Sequence, residues 1–430
     1  MIDKAKFGVA FDIGSTTLAG ALVDLETKKV LKTHSVGNPQ ALRAGADIIS
    51  RIRAVSEDSS LLDALHSETF DALNGIIDEL APEGGISEIS TAGNSVMEHI
   101  LLKISPEPLG KVPYRPVFKD ALTLNAHEAG LTHKAVTKEA ALYVFPLIGG
   151  FVGGDTVAMM LSIALSGGFG SGKGGANELA NELAIDIGTN SEIVLSTPGG
   201  IFAASAAAGP AFEAGEIGFG MAAGPGAISG ASVTPDSITL EVIGAVKPVG
   251  ICGSGLVDIV SGLIGAGIID KTGRIKDPGE IDTLLATKVK AGESSEDGNL
   301  FSLYTGPEKT ITLSQADVRS LQTAKGAIRA GVNVLIDKAG IVANDIERVY
   351  IAGAFGAGLS KEGLETIGLL DVCWHDKIQI IGNAVLDGAV MTLGSVEARS
   401  RAEELAKGVK YVSLSGSPGF ETEFIRSMDF

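Results

Sequence analysis

"FGVAFDIGSTTLAGALVDLETKKVL", residues 7–31, reads as an apolar strand, the turn Asp-Ile-Gly-Ser-Thr-Thr, and a second apolar strand. "ELAIDIGTNSEIVLSTPGGIFAA", residues 182–204, has the same plan, with Asp186 standing where the first stretch has Asp12. Each predicts a β-hairpin with Asp-Ile-Gly at its tight end. One such turn is a common hairpin device. Its recurrence in matched surroundings points to duplication.

Two further pairs follow in the same order. "ISEISTAGNSVMEHILL" (86–102) is a strand, Ala-Gly, a short loop and a helix; "IERVYIAGAFGAGL" (346–359) repeats strand, Ala-Gly and loop. "GGFVGGDTVAMML" (149–161) and "GNAVLDGAVMTL" (382–393) both lead an acidic residue from a glycine turn into an apolar helix. Three ordered pairs predict a duplicated α/β unit.

Between the halves lies "SGGFGSGKGGAN" (166–177), where Gly167 and Gly172-Lys173 have the spacing of a P-loop. A P-loop follows a strand and places Ser or Thr after its Lys to hold Mg²⁺. Here an apolar helix precedes, and Gly174 and Gly175 follow Lys173. The stretch reads as a flexible linker. The expected organisation is a first lobe at 1–166, a Gly-rich linker at 167–181, and a second lobe at 182–430 with an insertion around 225–310. Within that insertion, "TKVKAGESSEDGN" (287–299) reads as an exposed loop.

The bulk numbers narrow the function. The 430 residues are 45% hydrophobic and 20% charged, a globular composition, and 57 glycines call for many tight turns. A net charge of −18 argues against a chain built to grip nucleic acid or an anionic membrane. Two cysteines without a CxxC fit a reducing cytoplasm, and "MIDKAKFGVAFDIG" carries no signal-peptide core. The apolar run at 140–165 is long enough to span a bilayer. Pro146, four glycines and Asp155 break it into a buried strand, a glycine turn and a core helix.

The paired turns suggest phosphate chemistry. Gly14 and Gly188 let backbone N–H groups approach phosphate oxygens, and Ser15, Thr16, Thr17, Thr189 and Asn190 add donors. Asp12 and Asp186 are expected to oppose each other across a cleft and to hold Mg²⁺ through its water shell. Asp155, opening a helix, is the candidate for orienting or activating an attacking water; a plain N-terminal helix acid is the competing reading. Gly353, Ala354, Phe355 and Gly356 follow a strand and offer bare backbone to a flat adenine.

In this order the motifs resemble the superfamily of acetate and sugar kinases, Hsp70 and actin. One branch is closer: the reductive activators of corrinoid proteins. It is carried by "NPQALRAGADIISRI", "TAGNSVMEHILL", "PYRPVF", "AIDIGTNSEIVL", "AAGPAFEAGEIGFGM", "GICGSGLVDIV" and "LSQADVRSLQTAKGAIRAG". The resemblance implies two ribonuclease H-like (actin-like ATPase) lobes around an ATP cleft, an ATPase activity, and a homodimer. It implies a corrinoid or related redox protein as partner, returned from Co(II) to Co(I) with the help of ATP. It also places Gly209, Pro210 and Glu213 in a further nucleotide-contacting loop.

The chain departs from that branch in one respect. Those activators carry iron–sulfur clusters, and a cluster needs four cysteinyl ligands where this sequence has Cys252 and Cys373. Both read as ordinary buried thiols, and electrons are expected from a separate donor such as a ferredoxin. His127 and His133 in "HEAGLTH" are too weak a pair for a metal site. Two other functions stay open at this point: a small-molecule kinase of the same superfamily, and a non-redox, nucleotide-gated binding or assembly protein.

Overall fold

A computed structural model describes residues 6–169, 179–292, 294, 297–307, 309–353 and 358–430. Contacts divide the chain into two compact units. One comprises Met1–Ala180, Ser196–Ala204 and Asn383–Val412; the other comprises Asn181–Leu195, Ser205–Gly382 and Ser413–Phe430.

The first unit opens with the hairpin β1 (Phe7–Ile13) and β2 (Thr17–Asp24), then β3 (Val30–Gly37). Helices α1 (Gln40–Ala44), α2 (Ile48–Glu57) and α3 (Leu61–Leu80) follow. Next come β4 (Ile86–Gly93), α4 (Ser95–Leu101), β5 (Leu122–Asn125), α5 (Ala126–Ala129), β6 (Val136–Val144) and α6 (Gly154–Leu165). The sheet order is β3-β2-β1-β4-β6-β5. β1 runs antiparallel to β2 and parallel to β4, so Asp12 lies beside Ala19 on one neighbour and Ala92 on the other. β1 is buried on both faces, which explains its unbroken apolar run. Phe70, Leu73, Ile76 and Ile77 of α3 cover Phe11, Leu18 and Leu22. The apolar run at 140–165 resolves into the end of β6, a glycine turn and α6. No helix among the described residues is long and apolar enough to cross a membrane.

The second unit begins with β7 (Glu182–Asp186) and most of β8 (Asn190–Thr197); β9 (Gly200–Ala207) follows, and the stretch Ser196–Ala204 groups with the first unit. β10 (Ala227–Val233), β11 (Ile238–Val242) and β12 (Gly250–Ile251) make a small sheet under α7 (Gly253–Gly265). β13 (Val289–Ala291), β14 (Asn299–Thr305) and β15 (Thr310–Ser314) make another. The loop expected at 287–299 is thus bounded by strands: Val289 packs opposite Phe301 and is buried, which pins the segment's start to β14.

The long α8 (Gln315–Ala339) starts at a capping box formed by Ser314 and Asp317 and ends at Gly340 in the left-handed conformation. β16 (Arg348–Ala352), α9 (Lys361–Thr366) and β17 (Ile378–Gly382) follow, with β16 parallel to both β7 and β17.

The chain then supplies α10 (Ala384–Thr392), α11 (Val396–Gly408) and β18 (Val409–Tyr411) to the first unit, before α12 (Pro418–Arg426) closes the second. α10 lies against α6. A Cβ at Gly388 would overlap the Ala158 carbonyl, so this glycine permits the close approach of the two helices. Ser90 of β4 and Thr392 share a buried hydroxyl hydrogen bond of 2.7 Å.

Candidate active site

The first Asp-Ile-Gly turn is closed by a hydrogen bond from the Gly14 N–H to the Thr17 carbonyl, 3.0 Å. Gly14 has no room for a side chain, since a Cβ would sit 2.6 Å from that carbonyl oxygen. Three groups hold the turn from behind. Asn38 donates its side-chain amide to the Gly14 carbonyl (2.9 Å) and its backbone N–H to the Thr16 carbonyl (2.7 Å). Arg51 of α2 donates to the Ser15 carbonyl.

Asp12, at the end of β1, accepts from the Asn383 side-chain amide at 3.0 Å. Asn383 also caps α10, its Oδ1 accepting from the Leu386 N–H at 2.9 Å. Burial pushes the Asp12 carboxyl up to about 7; the Asn383 amide opposes this and the nearby Asp155 charge adds to it.

Asp155 is placed by the two glycines before it. A Cβ at Gly153 would lie 2.5 Å from both the Gly93 carbonyl and the Ser95 N–H, so the start of α6 lies directly on the turn between β4 and α4. A Cβ at Gly154 would overlap Glu98 Oε1 and sit 2.6 Å from Phe145 Cβ. Asp155 is buried, and burial raises its carboxyl to about 6 against hydrogen bonds from the Thr156 N–H and hydroxyl.

This approach adds a residue that sequence reasoning missed. Glu98 of α4 has no solvent exposure. Its Oε1 accepts from the Gly93 N–H at 3.1 Å, while Oε2 has no partner. Burial, then the Asp155 charge, raises its carboxyl well above the ordinary value, against the hydrogen bond from Gly93. Its one sequence signal is a carboxylate inside "SVMEHIL", a helix whose other residues are all buried.

In the second unit Asp186 ends β7 beside Ala352 of β16. The Ile187 N–H donates to the Ala352 carbonyl at 3.1 Å. Gly353 (φ +115) follows, and a Cβ there would meet Ile187 O at 2.6 Å and Asp186 Oδ1 at 3.0 Å. Glu213 accepts from both the Thr189 N–H (2.8 Å) and its hydroxyl (2.9 Å). The Gly209 N–H, on a residue at φ +79, donates to the Thr189 carbonyl. Gly188 and Ser191 exchange hydrogen bonds across the turn that leads to Asn190. Asp186, Gly188, Thr189, Asn190, Gly209, Pro210, Glu213 and Gly353 therefore share one region of this unit. Two Thr189 donors expected for phosphate are engaged by Glu213. Ala354, Phe355 and Gly356, like Lys173, lie outside the described residues.

Among the described residues, no group of three His, Cys, Asp or Glu side chains is placed to hold a metal ion. His133 pairs with Asp78 at 2.9 Å, and His127 contacts the Val136 carbonyl. Cys252 is buried as expected, but Cys373 is exposed: it sits in a short 3-10 turn where Trp374, rather than the thiol, fills the core.

The family described as the C-terminal domain of RACo, the ASKHA domain, matches residues 180–430, and the RACo middle region matches residues 7–167. The chain is 32% identical over 436 residues to a corrinoid activation enzyme, RamQ, of Eubacterium limosum, covering 99% of this chain and 71% of that protein. It is 29% identical to a [Co(II) methylated amine-specific corrinoid protein] reductase of Methanosarcina barkeri, covering 84% of this chain and 65% of that one. A solved structure of a reductive activator for a corrinoid, iron–sulfur protein superposes with a TM-score of 0.87 at 34% identity, covering all of this chain and 67% of that one.

Proposed function

The chain belongs to the RACo family and carries its ASKHA fold, and on that premise we propose that it is an ATP-hydrolysing activator that helps return the Co(II) corrinoid of a partner protein to Co(I). The reading is supported above all by likeness along nearly the whole chain to proteins named for that task. The chain spans about two thirds of those relatives' length.

The residues suit ATP. Ser15, Thr16 and Thr17 of the first turn suit phosphates through N–H groups and hydroxyls, whereas in the second turn the Gly188 N–H and both Thr189 donors are held by Ser191 and Glu213, which leaves Asn190. Asp12 and Asp186, single carboxylates each in its own unit's turn, each suit a hydrated Mg²⁺ met through its waters rather than a stripped ion in a cage of ligands. Such an ion would neutralise charge on the phosphates. Asp155, with a proton affinity near neutrality, orients water and takes its proton as the terminal P–O bond breaks.

The two cysteines of these residues do not make a four-cysteine cluster site. In this reading a separate donor such as a ferredoxin supplies the electrons, and the activator works as a homodimer whose ATP turnover is slow until the partner is bound.

The test is reduction of a Co(II) corrinoid protein from the same organism by a low-potential donor, followed by loss of the Co(II) absorbance with and without ATP. ATP-dependent reduction supports the reading. Reduction indifferent to ATP, or ADP formation only with a small acceptor, overturns it; the latter would mark a small-molecule kinase.

A further inference from the structure

Arg51 has no solvent exposure, yet the groups it bonds do not neutralise it. Nε donates to the Gly45 carbonyl at 3.2 Å, one terminal nitrogen approaches Met97 Sδ at 2.8 Å, and the other donates to the Ser15 carbonyl. These are two carbonyls and a thioether. Asp47 is the acid whose charge acts on it, and its two oxygens accept from the Ser50 N–H and hydroxyl at 2.9 and 2.5 Å. A guanidinium taken out of water without a paired anion is costly. Burial lowers Arg51 to about 10, so it stays charged at neutral pH.

The Ser15 carbonyl ties this charge to the turn. A cation on that oxygen polarises the Ser15–Thr16 peptide and makes its N–H a stronger donor. We infer that Arg51 is a positioning residue for the nucleotide's phosphate chain: it holds a charge with no anion bonded to it behind the Gly14–Thr17 turn, only partly offset by Asp47, and the bound phosphates complete the balance. This rests on the ATP reading above. A purely mechanical tie between α2 and the turn would treat all nucleotides alike.

The test measures binding of ATP, ADP and AMP with Mg²⁺ by calorimetry to the full chain. Arg51→Gln keeps a donor and removes the charge. It weakens ATP about tenfold or more, ADP less, and AMP by no more than about twofold. Arg51→Lys restores the charge and brings the ATP-to-AMP ratio back toward native. Equal losses for all three nucleotides in Arg51→Gln, or no loss, overturn the inference. Should that variant fail to fold, Asp47→Asn decides. It keeps the helix cap and removes the acid acting on Arg51, so the ATP-to-AMP ratio rises; an unchanged or lower ratio overturns the inference. A native chain that binds no ATP sinks the ATP reading itself, and this inference with it.

Discussion

Asn383 and Asp12, 371 residues apart in sequence, are joined by a 3.0 Å hydrogen bond from the amide nitrogen to Asp12 Oδ2. The same side chain caps α10 through its other atom. The two roles separate by substitution. Asn383→Ser keeps an N-cap and loses the bond to Asp12, so ATP turnover should fall with little change in melting temperature. Asn383→Ala loses both and should cost about 1 kcal/mol of stability as well. Thermal melts and steady-state ATPase assays check this; equal turnover in the native protein and Asn383→Ser would show that the bond is idle.

Asp12 predicts a pH signature of stability. Its folded-state value near 7 lies above the ordinary 3.8, so the folded protein binds this proton more tightly than the unfolded chain. The stabilisation is full below about pH 4 and is lost as the pH rises through 7. Asp12→Asn, which cannot ionise, should therefore melt higher than the native protein at pH 8, with the gap closing toward pH 4. Ligand-free melting curves across that range measure it; a gap independent of pH would contradict it.

Gly154→Ala sets helix propensity against sterics. Alanine in a helix gains up to about 1 kcal/mol over glycine. The new methyl would overlap Glu98 Oε1 and crowd Phe145, and overpacking costs about 1–3 kcal/mol. Sterics should win: a lower melting temperature, a displaced Asp155 and at least about tenfold slower ATP turnover. A more stable, fully active variant would refute the packing argument.

Lys173→Ala should bind Mg-ATP like the native chain, because its glycine-rich stretch lacks the Ser or Thr of a P-loop. Asp186→Ala should weaken Mg-ATP binding or turnover. Calorimetry on the two variants tests this, and the reverse pattern would return the phosphate to the Lys173 loop.

The hairpins were legible because an apolar run ending at Asp-Ile-Gly says the same thing twice, and Asp155 because an acid opening an apolar helix stands out. Glu98 and Arg51 were not legible as site residues. A carboxylate or guanidinium in a helix reads as a solvated group, and the burial of each depends on a distant backbone: Gly153-Gly154 for Glu98, the Ser15 carbonyl for Arg51. Cys373 failed in the other direction. Its neighbour Trp374 took the core position, and the local pattern did not say which of the two would face inward.

The closeness of Gly388 to Ala158 also bears on how the protein is made. α6 is buried from Gly154 through Ala164 and leans on α10, which begins only at Ala384. On the ribosome, more than half of the polypeptide must emerge after α6 before its covering helix exists. At about 5–20 residues per second, that apolar surface stays unsheltered for tens of seconds at the slow end of the range. The nascent chain is thus a client for chaperones that mask greasy helices, and fragments cut short of Ala384 should aggregate.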